Sequence, residues 1–152
     1  MKKTAILGLI FLLLISGCIG TNSSIEQYNK QYKNDDEQCK RAITDYFQAV
    51  KTHDLDRLKS LYSTERRKMA QNASLGEDEY EFINISQIVP DKSVVYEYMT
   101  FGRGKNKKEE DIKGYKVDFE FKLKNKAKVV QDHFKFILVK ESGNWKIDDF
   151  GH

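Results

Sequence analysis

The sequence predicts an α+β fold: N-terminal helices packed on an antiparallel sheet of about five strands. Three observations carry that reading. Between Asp35 and Ala73 apolar residues recur at helical spacing. After Gly76 the period falls to two, most clearly in "YKVDFEFKL", where Tyr115, Val117, Phe119, Phe121 and Leu123 alternate with charged residues. No internal repeat or second core pattern is present, and residues 35–152 are enough to close one hydrophobic core.

The front end has a separate character. Lys2 and Lys3 precede Ala5 to Ile15, an apolar stretch of 11 residues. That length suits a signal-peptide core and is too short to cross ~30 Å of hydrocarbon as a helix. Ile15-Ser16-Gly17-Cys18 then resembles the lipobox of prokaryotic lipoproteins. The resemblance implies that the Cys18 thiol receives a diacylglycerol and that the chain is cut just before it. Small residues at 16 and 17 let a peptidase approach the backbone. The competing reading is an ordinary secretory signal whose cysteine is incidental. The expected organisation is a signal peptide over 1–17, a lipid anchor and tether over 18–34, and a folded domain over 35–152. Cys18 is then a lipidation site, and the domain sits at the cell membrane on its extracytoplasmic face.

Loss of residues 1–17 removes two lysines, leaving 24 basic and 23 acidic side chains. A near-neutral extracytoplasmic domain is a poor nucleic-acid binder, so no nucleic-acid partner is expected. Two acyl chains give stable membrane attachment where one is marginal. Cys39 becomes the only thiol, so no intramolecular disulfide is available. It shares a helical face with Ile43, Tyr46, Phe47 and Val50 and reads as a small core hydrophobe.

Taken in order, residues 19–34 are polar, although Ile25, Tyr28 and Tyr32 at helical spacing allow the first helix to begin near Ser24. An amphipathic helix is expected over Asp35–Thr52. Asp54 is a good N-cap for a second helix with Leu55, Leu58, Leu61 and Tyr62 inward. Ser63-Thr64-Glu65 opens a third. The expected strands are "EFINISQIV", "SVVYEYMTF", "YKVDFEFKL", "HFKFILVK" and "WKIDDF". The second of these has bulky groups on both faces and suggests a central strand covered on two sides. Pro90-Asp91-Lys92 and Ser142-Gly143-Asn144 supply tight turns, and a long charged loop spans Gly102 to Gly114.

Two segments, "AITDYFQAVKTHDLDRLKSLYS" and "HFKFILVKESGNWKIDDF", resemble the opening helix pair and the last two strands of the nuclear transport factor 2-like superfamily. The resemblance implies a cystatin-like cone, in which a curved sheet wraps the helices and can leave a pocket. It does not imply one activity, since that fold hosts enzymes, binding proteins and assembly modules. In ketosteroid isomerase, an enzyme of the superfamily, a tyrosine eight residues before the Asp-Leu-Asp turn donates to the reacting oxygen. Tyr46 matches that position, and is the one catalytic candidate. Glu79 and Glu81 lie where the base would be sought, without its surrounding motif.

Each remaining candidate has a structural competitor. Tyr46 lies on the apolar helix face and is expected to pack with Ile43, Phe47 and Val50, reached by Phe119 and Phe121. His53 falls in the turn between helices, His133 at the start of a strand beside Asp132, and His152 at the end. Asp148 and Asp149, adjacent in a strand, point to opposite faces and cannot chelate one ion together; one is expected exposed and the other capping an edge. No metal site, cofactor, nucleophile elbow or phosphate loop is expected. Arg103 to Lys128 holds ten basic and five acidic residues, either facing anionic headgroups or an acidic wall polymer, or forming a solvated hairpin with lysines guarding a sheet edge. Asn22, Asn72 and Asn84 head glycosylation triplets whose use depends on an archaeal host.

The function expected is therefore binding of a small ligand or an envelope partner by a lipid-anchored domain, without chemistry. The alternatives are a small-molecule isomerase or dehydratase using the cone, with a small apolar ligand as substrate, and a structural assembly module of the envelope.

Overall fold

The computed structural model describes residues 20–72 and 78–152. The chain divides into two compact units, 1–36 and 37–152. Helix α1 runs Gly20–Lys51. In the first unit it includes Gly20 to Asn34, the stretch expected as a tether, and Asn29 to Asn34 are exposed there.

In the second unit α1 buries Cys39, Ile43, Tyr46 and Phe47, the face read from the sequence. It ends at His53, whose φ of 55° lies in the left-handed region. Helix α2, Leu55–Leu61, is capped by Asp54, which accepts from Arg57 N; α3, Thr64–Met69, is capped by Ser63, which accepts from Arg66 N.

Among the described residues four strands follow: β1 Tyr80–Pro90, β2 Ile112–Leu123, β3 Val130–Glu141 and β4 Asn144–Gly151. They form an antiparallel meander in the order β1-β2-β3-β4. The β3–β4 link places Ser142 at φ 49° and Gly143 at φ 82°, as a two-residue I′ hairpin requires. The expected strand "SVVYEYMTF" is instead helix α4, Lys92–Phe101. Asp91 caps it, accepting from Ser93 N, and Val94 and Tyr98, one helical turn apart, are buried. Val95 and Met99 pack beside them. Of the apolar groups that suggest two faces of a strand, Val94, Val95, Tyr98 and Met99 share one face of the helix, while Tyr96 and Phe101 are exposed.

One face of the sheet carries the main core, and α4 covers part of the other, where Lys116, Asp118 and His133 stay exposed. Tyr115, Val117, Phe119, Phe136, Leu138, Trp145 and Ile147 join the main core with α1 and α2. Ile112, Ile137 and Val139 meet Val94 and Tyr98 of α4 on the other side. A Cβ on Gly114 would lie 2.8 Å from the Asp91 carbonyl oxygen and 3.0 Å from Val94, so the absence of a side chain lets α4 approach β2.

Bulges interrupt the ladders. In β1 the register shifts between Tyr80 and Phe82 and between Ile85 and Gln87, leaving Glu81 and Ser86 as the extra residues. In β4, Ile137 faces Asp149 while Leu138 faces Ile147, so Asp148 is the extra residue. The outer side of β4 is partly covered, since Ser63 N donates to the Ile147 carbonyl at 2.8 Å. Strand β1 is the other outer strand.

Candidate functional site

Asp148, the extra residue of the β4 bulge, and Ile147 beside it both have 0% exposure; Ile147 joins the main core and Asp148 meets Tyr98 of α4. Ser63 Oγ donates to Asp148 Oδ1 and the Tyr98 hydroxyl donates to Oδ2. Arg103, in a 3-10 turn over Arg103–Asn106, donates to the Asp148 carbonyl and brings Nη2 within 3.5 Å of Oδ2. Ser63 thus caps α3 through its lone pair and holds Asp148 through its proton. Burial pushes the Tyr98 hydroxyl far above its ordinary value, and the hydrogen bond and charge of Asp148 push it further. Gly104 permits the arrangement, since a Cβ there would sit 2.5 Å from the Tyr98 ring. A carboxylate engaged by two hydroxyls and a guanidinium is a structural joint rather than a base open to substrate.

This corrects the sequence reading of the Asp148-Asp149 pair. Asp148 caps no edge but is the buried centre of a network, while Asp149, partly exposed, pairs with Arg66 at 3.3 Å and lies 3.6 Å from Arg103. Among the described residues no group of three His, Cys, Asp or Glu side chains is placed to hold a metal.

A second cluster centres on Tyr46, which is 7% exposed, and Tyr62, which is 5% exposed. Tyr46 packs against Phe47, Phe136 and Phe150 with ring centroids 5.4, 5.2 and 4.8 Å away. Phe119 reaches Phe47 instead, at 4.7 Å, which corrects the expected contact of Phe119 with Tyr46. Burial raises the Tyr46 hydroxyl far above its ordinary value; Tyr62 adds to the shift, Arg66 opposes it and Tyr80 adds again. These four polar groups are therefore close enough to bias one another's charge. The Arg66 guanidinium lies over the Phe150 ring at 4.3 Å and near Tyr62 at 5.8 Å. Its Nε is buried with no hydrogen-bond partner among the described residues. Such a set offers donors to an oxygen-rich or anionic group. Burial holds its tyrosines protonated, and the neighbouring Asp149 carboxylate is paired with Arg66.

The carboxylates sought as a base do not join it. Glu79 and Glu81 form exposed cross-strand pairs with Lys124 at 3.0 Å and Lys122 at 2.6 Å. His53 Nε2 lies 3.0 Å from the Asp78 carbonyl oxygen, and His133 and His152 stack edge to face at 5.7 Å near Asp132. The basic excess of Arg103–Lys128 is largely spent on acids, through Lys107–Glu65, Lys108–Glu110, Lys116–Asp91 and the pairs above. Cys18 lies outside the described residues. Asn22 falls within α1, Asn72 is exposed after α3, and Asn84 in β1 donates to Glu120 at 3.3 Å.

A groove of about 590 Å³ lies elsewhere on the unit, between α1 and β1. From α1 it takes Thr44, Gln48 and Lys51, a stripe at helical spacing, with Phe47 beside them. From β1 it takes three consecutive residues, Ile83, Asn84 and Ile85.

Fold and site together define an α+β domain: an antiparallel meander with the main core on one face and α4 over part of the other, and a tyrosine–arginine cluster in that core. Residues 40–151 match a family described as a domain of unknown function, DUF4829, and the chain belongs to that family. Among solved structures it is similar to the solution structure of a SEC-C motif containing protein from Rhodopseudomonas palustris. Identity there is 12% over 69% of this chain and 70% of that one, with a TM-score of 0.45. A comparison with curated proteins finds no match. No helix among the described residues is long and apolar enough to cross a membrane.

Proposed function

We propose that the chain is a lipid-anchored extracytoplasmic domain of the nuclear transport factor 2-like cone class. It binds a small ligand with an apolar body and an oxygen-rich or anionic head, and performs no chemistry on it. The observation that carries the reading is Arg66. Its Nη1 pairs with Asp149 at 3.3 Å, but its Nε is buried with no hydrogen-bond partner among the described residues, which costs free energy unless something accepts from it. The aromatic bed of Phe150, Tyr46 and Tyr62 around it suits an apolar body. Against an isomerase, the Asp149 carboxylate at the cluster is paired with Arg66, and Glu79 and Glu81 are engaged at the surface.

Support for the cone comes from element order: α1 and α2 carry the first matching segment, and the β3–β4 hairpin carries the second. Support for the anchor is the basic start, apolar core and box ending at Cys18.

The test is thermal unfolding of the full-length protein with oleate or cholate, two probes with an apolar body and a carboxylate head. Either should raise the midpoint of the wild type by mass action, and Arg66→Ala should abolish the rise. A rise that persists in Arg66→Ala, or no rise with either probe, counts against the reading.

A further inference from the structure

Successive side chains of a strand point to opposite faces. A groove that touches Ile83, Asn84 and Ile85 together meets the main chain of β1 as well as its side chains, on an outer strand whose edge carries outward N–H and C=O groups. In the sheet order β1 has β2 on one side and, among the described residues, no strand on the other. The unbroken register against β2 between the two shifts covers Phe82, Ile83, Asn84 and Ile85, the part of the strand that lines the groove. Opposite stands the α1 stripe of Thr44, Gln48 and Lys51, with Lys51 carrying the charge of the lining. The space is thus a slot with a hydrogen-bonding edge on one wall, apolar contact from Phe47, Ile83 and Ile85, and a cation at one end.

We propose that this slot docks an extended peptide segment of a partner protein, added as a short strand to β1. Main-chain hydrogen bonds to the edge supply affinity, and side chains on one face of the added segment enter the slot. The segment alternates apolar residues and carries an Asp or Glu that meets Lys51, by charge complementarity. The surface is distinct from the Tyr46–Arg66 cluster, and the inference does not depend on the ligand proposed there.

The experiment pans a displayed library of random dodecapeptides against the full-length protein in lipid nanodiscs. Synthetic copies of enriched peptides are then followed by hydrogen-exchange mass spectrometry. Enriched peptides should alternate apolar residues around an acid and should slow exchange over Phe82–Ile85. Lys51→Glu should weaken them about tenfold and enrich peptides with a basic residue at the same place. The proposal is overturned if no peptide is enriched, if protection falls on Tyr46 and Tyr62 instead, or if Lys51→Glu leaves binding and charge preference unchanged. It is overturned equally if β1 is protected without peptide in proportion to protein concentration, which would assign the edge to a second copy of the chain.

Discussion

Tyr98, on the helix between β1 and β2, donates its hydroxyl hydrogen bond to Asp148 in the last strand. The bond fastens α4 to β4 across the sheet, and Asp148 has no water to replace a lost donor. Tyr98→Phe, which keeps the ring and removes the proton, should cost about 1–3 kcal/mol. Asp148→Ala leaves the Tyr98 and Ser63 hydroxyls without their acceptor, takes one carboxylate from Arg103, and should cost about 3–5 kcal/mol. Urea unfolding measures both; equal costs for the two variants would contradict the network.

Alkaline stability should follow the same tyrosines. Tyr98 and Tyr46 hold their protons more tightly folded than unfolded, where the ordinary value is 10.0. Below that pH both states are protonated and the stabilisation is intact. Above it the unfolded chain ionises first, so stability should fall as pH rises. The urea midpoint should hold steady towards pH 10 and decline beyond it, less steeply in Tyr98→Phe.

Acid acts through another joint. Lys116 and then Ser93 hold the Asp91 carboxyl well below its ordinary 3.8. That contribution is present above the unfolded value and is lost as pH falls through the lower folded one. Asp91→Ala removes the α4 cap and should cost about 0.5–2 kcal/mol at neutral pH. It should also flatten the acid limb of the stability profile, measured by chemical denaturation.

Tyr46→Ala empties a site walled by Phe47, Phe136 and Phe150 and should cost about 3–5 kcal/mol. Tyr46→Phe keeps the ring and should leave thermal stability close to wild type. A large loss in the phenylalanine variant would mean that the hydroxyl carries a structural bond.

At the front end, Cys18→Ser should abolish incorporation of labelled palmitate in a bacterial host and leave the signal uncleaved. Wild-type protein recovered without acyl mass on its N-terminus would remove the anchor.

The parts of the fold legible in the sequence are those governed by local chemistry. Asp54 and Ser63 announce their helices because a short oxygen side chain satisfies backbone donors in the first turn. The alternation of Tyr115, Val117 and Phe119 identifies a half-buried face, and Cys39 follows from its place on the α1 stripe. What was missed depends on longer range. Val94 and Val95 favour a strand by propensity, and packing on Gly114, Ile137 and Val139 overrides it. The capping signal was present in Asp91 after Pro90, but it also reads as a turn. Alternation alone does not reveal the burial of Asp148, because α4, which reads as a strand, brings Tyr98 onto it. Arg66 gave no signal at all: its neighbours Phe150 and Tyr46 come from distant parts of the chain.

The two bulges of β1 also limit what any chain meeting that edge can build. A flat edge of 11 residues would let one molecule template the next, and growth by repeated addition needs only that each new strand leave an equal edge behind. Here the extra residues at Glu81 and Ser86 twist the strand out of line on both sides of Phe82–Ile85. An added strand finds a few residues of matched spacing and then none. Contact at this edge is therefore self-terminating: it can be occupied, but it cannot propagate into a fibre.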